Sequence, residues 1–378
     1  MIRDPHEITH YAVVGAGHGG KAMAANLALK GFSVALYNRT PKNVEAIRIR
    51  GGILLERDDL GVSGFGELAL VTSDMEAALD EAQIIMVVVP AFAHADIARK
   101  MAPCLQDGQI VILNPGRTLG ALEFRQVLVK EGCQADAIIA ETQTFIYASR
   151  SDGPAHAHIF RSKEAVPLAA LPSSRTAEVL AAIKPAYPQF IDGETVLHTG
   201  INNIGAVFHP TITLHNAAWI EGTGGNFEFY MDGVTHTVSL TMEAIDRERM
   251  RIAETLGIEA ITAQEWLMMA YNSEGEDLRE AIHNQPGYRG IRAPATIKHR
   301  YITEDIPFSL VPLASLGRRY GIRVRAMESI IRLACIAHRR DYWESGRTLE
   351  SLGIDQLEAH ELLGFIEQPI PDFTVAHH

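Results

Sequence analysis

Three cysteines in 378 residues, Cys104, Cys133 and Cys335, are too few and too widely spaced for a disulfide framework or a thiolate metal site. Sparse, odd-numbered cysteine is what a reducing compartment leaves. Because Met1–Glu7 carries no apolar leader, the expectation is a cytoplasmic chain. Basic charge is also short: 34 Lys and Arg against 46 Asp and Glu leave a formal net charge of −12. A surface of that sign repels phosphate backbones and anionic lipid, so neither nucleic acid nor a membrane is an expected partner. Long apolar runs are missing as well. The longest, Ile84–Ala93, contains Pro90 and is too short to span a bilayer. No linker rich in Gly, Ser or Pro interrupts the chain, and no internal repeat is visible. His156-Ala-His158 puts two imidazoles on one strand face, but nothing nearby completes a ligand set, so no metal is expected.

What is present starts at Tyr11-Ala-Val-Val-Gly-Ala-Gly-His-Gly-Gly20, an apolar strand running into Gly15, Gly17, His18, Gly19 and Gly20 and then an Ala/Leu-rich helix, Lys21–Lys30. Strand, G-x-G-x-x-G and helix in that order form a dinucleotide-binding turn. Gly15 allows the tight turn, Gly17 lets a pyrophosphate approach the backbone, and Gly20 lets helix and strand pack closely. The second strand, Phe32–Tyr37, ends without the Asp or Glu that an NAD site uses on the ribose hydroxyls. It ends in Asn38-Arg39-Thr40, where a guanidinium can hold a ribose phosphate and two neutral side chains can donate hydrogen bonds. That end is similar to the phosphate-binding turn of several NADP-dependent hydroxyacid dehydrogenases. NADP is therefore the expected cofactor, ahead of NAD.

Strand-like runs recur at Leu68–Thr72, Ile84–Val89, Ile110–Leu113 and Ala137–Ala140, several of them separated by helical stretches such as Ala93–Leu105 and Leu119–Lys130. Alternation of this kind predicts an α/β domain with a doubly wound parallel sheet. Phe145–Ser149, His156–Phe160 and Ala165–Ala169 read as extensions of that sheet. Beyond Asp192–Gly200 the pattern turns helical: Ser239–Leu256, Ala263–Tyr271, Phe308–Tyr320, Ala326–Arg339 and Leu349–Leu363. The expected architecture is a Rossmann-type domain over residues 1–195 followed by an all-α substrate domain over 196–378. Loops at the strand ends should carry the site: Val89-Pro90 near the nicotinamide, Asn114-Pro115-Gly116-Arg117, and Glu141-Thr142.

A hydride-transfer enzyme acting on a carbonyl or imine needs a proton donor, and histidine titrates near neutrality. His209, beside Pro210, is a candidate. Asp305 would fix its tautomer, and Arg300 would hold a substrate carboxylate bidentately. Asp305 also reads as a helix cap before Pro307, Asn203 reads equally as a turn residue or a substrate contact, and Glu141 as a strand end or a substrate contact. Trp266, Tyr230 and Phe227 read first as core, with the lining of an apolar pocket as the alternative. Spacing alone does not bring His209, Asp305 and Arg300 together.

Over nearly its whole length the chain resembles the octopine/nopaline (opine) dehydrogenase family. The resemblance rests on Gly15-Ala-Gly-His-Gly-Gly20, Asn114-Pro-Gly116, Glu141-Thr142, His209-Pro210, Phe229-Tyr230-Met-Asp-Gly233, Asp246-Arg-Glu-Arg249 and Arg300-Tyr-Ile-Thr-Glu-Asp305-Ile-Pro307. It implies a His209–Asp305 proton-handling dyad and Arg300 on a 2-oxo acid. The implied reaction joins an amino acid to a 2-oxo acid such as pyruvate through an imine that hydride reduces. Two other readings predict different behaviour. A simple 2-oxo acid or hydroxyacid reductase would turn over without an amine, and many such enzymes use a lysine of the second domain, where Lys298 is the only one. A non-catalytic NADPH sensor would bind the cofactor without turnover. An apolar patch on the helical half leaves a homodimer open.

Overall fold

The computed structural model describes residues 8–368. The main sheet has eight strands: β1 (His10–Val14), β2 (Ser33–Tyr37), β5 (Leu70–Thr72), β6 (Ile84–Val87), β7 (Ile110–Leu113), β8 (Ile138–Thr142), β11 (Val166–Leu171) and β12 (Phe190–Asp192). Their spatial order is β12-β11-β8-β7-β6-β1-β2-β5. Every neighbouring pair is parallel except β8 with β11. Strands β1, β6 and β7 are apolar and buried at almost every position, as a sheet covered on both faces requires. The chain leaves β1 toward β2 on one side and later returns to its other side as β6. Strand order therefore reverses between β1 and β6, and the loops at their carboxyl ends flank the crevice where such sheets bind ligands.

Two of the expected sheet extensions lie elsewhere. Tyr147–Gly153 (β9) and His156–Ser162 (β10) join Gly52–Arg57 (β3) and Val62–Glu67 (β4) in a separate four-stranded sheet ordered β4-β3-β10-β9. Only the segment around Ala165–Ala169 extends the main sheet, as β11. The physical reason lies in the helix His18–Leu29. Its residues Gly20 to Leu27 are all buried, so one sheet cannot cover it; the small sheet covers the other side. Gly66 permits the close approach, since a Cβ there would stand 2.6 Å from the Ala25 carbonyl oxygen. Buried Asn26 ties the layers: it donates to Tyr147 Oη at 2.8 Å and accepts from Arg57 at 2.7 Å.

The chain divides into two compact units, one ending at Thr199 and the other spanning Gly200–Phe365, with the segment from Ile366 returning to the first. The return is anchored by Ser173 Oγ to Glu367 at 2.6 Å and by Arg125 to the Gln368 carbonyl at 2.9 Å. It departs from the expected assignment of 196–378 to one domain. The second unit is helical around the long helix His236–Thr255. Fully buried Arg249 of that helix pairs with Asp246 at 2.7 Å and donates to the Ile201 and Ile261 carbonyls and to Asn202. Four donors directed at fixed acceptors pin the segment that leads into the helix Gly205–His215. The expected helix over 349–363 is mostly turn. Gly353 takes a positive φ of 62° and breaks it, and helix forms only over Ala359–Ile366.

Candidate active site

In the first unit the glycine turn has the geometry a dinucleotide needs. Gly15 has φ 115°, donates to the Tyr37 carbonyl at 2.8 Å, and leaves no space for a Cβ against the Val88 carbonyl. A Cβ on Gly20 would collide with the Gly15 carbonyl, so helix and turn touch there. Gly17 has open space where a Cβ would stand. That opening, in front of the first N–H groups of His18–Leu29, fits a pyrophosphate. Gly19 packs on the Phe145 ring instead of facing the opening. Val89 lies against Gly15, and Pro90 opens the turn after β6.

At the end of β2, Asn38 accepts from Ala16 N at 3.2 Å and donates to the Thr40 carbonyl at 3.0 Å, so it braces the glycine turn. Arg39 is exposed and lies 3.4 Å from Asp96. An exposed pair of this kind is weak, which leaves the guanidinium available to a stronger anion. His18 accepts from Ser151 N at 2.8 Å.

Glu141 has a different occupation from the expected substrate contact. It is fully buried; Oε2 accepts from Ala121 N at 2.7 Å and Oε1 from Thr199 Oγ1 at 2.7 Å. Its carboxylate caps the helix Gly120–Lys130 and holds the start of the Asn114–Arg117 loop, where a Cβ on Gly116 would strike it. Asn203 is also internal: it donates to Ser309 Oγ at 2.9 Å and ties the segment before Gly205–His215 to the π-helix Ile306–Leu310.

The second unit brings His209 and Asp305 together. His209 sits in Gly205–His215 and Asp305 immediately precedes the π-helix, a local irregularity that often marks functional sites. Nδ1 of His209 lies 2.8 Å from Oδ2 of Asp305, whose side chain is fully buried while the histidine keeps 21% exposure. Asp305 accepts, so Nδ1 carries the proton and Nε2 is the nitrogen left for chemistry. Nε2 lies 3.2 Å from Tyr230 Oη. Burial, then the neighbouring Tyr301, Tyr288, Tyr271 and Asp305, raises the Tyr230 pKa well above that of an ordinary phenol. The hydroxyl is therefore protonated at neutral pH. It donates to a neutral imidazole and accepts from an imidazolium, so it serves both states of the ring.

Tyr301 stacks on His209 with ring centroids 4.3 Å apart, and Tyr230 stacks on Tyr288 at 4.0 Å. His299 caps the turn Arg300–Thr303 by accepting from Tyr301 N at 3.4 Å. Burial, then Arg300 and His209, lowers its pKa, which favours the neutral ring that can accept. Arg300, on the same turn as Tyr301, is half-exposed and pairs with buried Glu304 at 3.0 Å. Its planar fork has donors enough for a second carboxylate. Tyr230 and Tyr301 are the members of this cluster that pattern reading missed as site residues. Both lie inside the motif segments that carry the family resemblance, and Tyr230 is core and site at once. Trp266 packs on Phe208, and Phe227 stacks on Trp219, as core residues do.

A family model described as NAD/NADP octopine/nopaline dehydrogenase, alpha-helical domain, matches residues 192–338, and one for the N-terminus of NAD-dependent glycerol-3-phosphate dehydrogenase matches residues 10–137. The chain is 37% identical to the opine dehydrogenase of Arthrobacter sp. (strain 1C) over 357 residues, covering 94% of this chain and 98% of that relative. The chain belongs to the opine dehydrogenase family. Vitopine synthase of Allorhizobium ampelinum (strain ATCC BAA-846 / DSM 112012 / S4) is 26% identical over 91% of this chain and 95% of its own. Among solved structures, octopine dehydrogenase with NADH and L-arginine shares the fold at a TM-score of 0.80 and 19% identity, over 98% of this chain and 100% of that one. Yersinopine dehydrogenase with NADP+ does so at 0.72 and 14%, over 97% and 99%. Opine dehydrogenases join an amino acid to a 2-oxo acid, and the two family models match the nucleotide-binding and the helical parts of the chain in turn.

Proposed function

We propose that His209 transfers the proton, Asp305 orients it and Arg300 holds the oxo-acid carboxylate in an NADPH-preferring reaction. The chain is an NAD(P)-dependent opine dehydrogenase. The amine of an amino acid attacks the carbonyl of a 2-oxo acid, water leaves, and the imine is reduced to a secondary amine carrying both carboxylates. The nicotinamide supplies the hydride when bound. His209 Nε2 protonates the departing oxygen, and Asp305 stabilises the imidazolium formed on either side of that step. Arg300 aligns the oxo acid through paired N–H donors. The His209–Asp305 pair at 2.8 Å is the observation that carries this reading.

The preference for NADPH rests on Arg39, exposed beside only a weak partner, and on the missing acid at the end of β2. A reducing cytoplasm suits Cys104, Cys133 and Cys335, all of them free. The test mixes purified protein with NADPH and pyruvate, then adds pools of amino acids and follows NADPH absorbance. Oxidation that requires an amino-acid pool is the expected result. Oxidation by the oxo acid alone would mean a simple reductase, and binding without oxidation across a panel of oxo acids and amines would mean a sensor.

A further inference from the structure

Next to the glycine turn, Lys21 projects from the helix His18–Leu29 into a cavity of about 370 Å³ whose opposite wall is the β9–β10 hairpin, Ser151 to Gly153. The lysine is only 9% exposed. Its Nζ donates to Ser151 Oγ at 3.0 Å and to the Gly153 carbonyl at 3.2 Å, both neutral. The carboxylate of Asp152, on the same wall, is directed to His158 at 3.4 Å. Burial lowers the Lys21 pKa. A desolvated ammonium held by neutral dipoles is unfavourable unless an anion completes its surroundings. The same cavity is lined by Gly17, the glycine with open space in front of it, and by His18, which ties the hairpin to the turn through Ser151 N.

We propose that Lys21 is the counter-ion of the dinucleotide pyrophosphate and that the hairpin residues Ser151 to Gly153 form a second wall of the cofactor site. This rests on the reading of the glycine turn as a nucleotide site. The helix N-terminus offers N–H groups to the diphosphate, and Lys21 offers a full charge from one turn further along. The Ser151 hydroxyl holds the ammonium in place, and the hairpin closes the side that the main sheet does not cover. The small sheet thereby contributes to cofactor affinity as well as to covering the helix.

The test compares wild type with Lys21→Gln, whose neutral amide keeps hydrogen-bond donors and removes the charge. Direct binding is measured with NADPH, ADP-ribose and adenosine. Loss of one charge-assisted contact should weaken NADPH and ADP-ribose about 10–100-fold and leave adenosine within about twofold. Lys21→Arg should recover most of the lost affinity, and the salt dependence of ADP-ribose binding should flatten in Lys21→Gln alone. Equal affinity of wild type and Lys21→Gln for ADP-ribose would overturn the proposal. So would an equal loss for adenosine and ADP-ribose, which would mark Lys21 as a tie of the fold. Failure of the wild type to bind NADPH or ADP-ribose would overturn the nucleotide reading itself.

Discussion

One imidazole at position 209 makes both of its polar contacts with residues far away in sequence, Asp305 through Nδ1 and Tyr230 through Nε2. That arrangement separates two roles that substitution can test. His209→Ala removes the group proposed to transfer the proton, and kcat should fall about 10²–10⁴-fold while NADPH binding is retained. Tyr230→Phe keeps the ring stacked on Tyr288 and removes only the hydroxyl. Here kcat should fall, because the hydroxyl that holds Nε2 in place is gone, with the oxo-acid KM little changed. Wild-type kcat in His209→Ala would reject the histidine, and wild-type kcat in Tyr230→Phe would remove the tyrosine from the proton path. His209 and Asp305 were legible in sequence as groups, an imidazole that titrates near neutrality and a carboxylate able to orient one, but only the family resemblance paired them. Tyr230 was not, because a tyrosine in an aromatic-rich stretch looks like core.

The same limit operates on whole elements. The helix His18–Leu29 and strand β1 follow directly from the glycine spacing, a local signal. The small sheet does not, because β3 must pair in parallel with β10 across about a hundred residues and both hairpins alternate weakly. An inner strand of that sheet carries a pH-sensitive pair. His158 on β10 stands 2.7 Å from Asp58 and 3.4 Å from Asp152. The hydrogen bond with Asp58, reinforced by the fields of Asp58, Asp152 and Glu56, raises its pKa from the ordinary 6.5. The folded protein therefore holds this proton more tightly than the unfolded chain does. The resulting stabilisation is fully present below pH 6.5 and is lost as pH rises through the raised value. It is small, since the pair is near water. Melting of wild type and His158→Gln from about pH 6 to pH 9 should show the wild type's advantage shrinking as pH rises. A constant difference would exclude the pair as its source.

For the molecule as a whole, binding adds to stability by mass action. A ligand at 100 times its Kd adds about 2.7 kcal/mol to the folded state, or roughly 5–10 °C in melting temperature for a unit of this size. NADPH should raise the melting temperature more than NADH at equal concentration. Equal shifts would reject the role given to Arg39. Among the described residues no helix is long and apolar enough to cross a membrane.

By itself the sequence determined the order of the two units, the glycine turn and the set of chemical groups, because turns, periodicity and missing acids are properties of neighbouring residues. Only the tertiary structure decided what those groups touch. It made Glu141 an internal clamp between Ala121 and Thr199 and Asn203 a brace on Ser309. It put Lys21 in a cavity and Tyr230 against the His209 imidazole. Each of these assignments depends on a partner between 20 and 132 positions away, and no local pattern of polarity or propensity encodes which distant atom a side chain will meet.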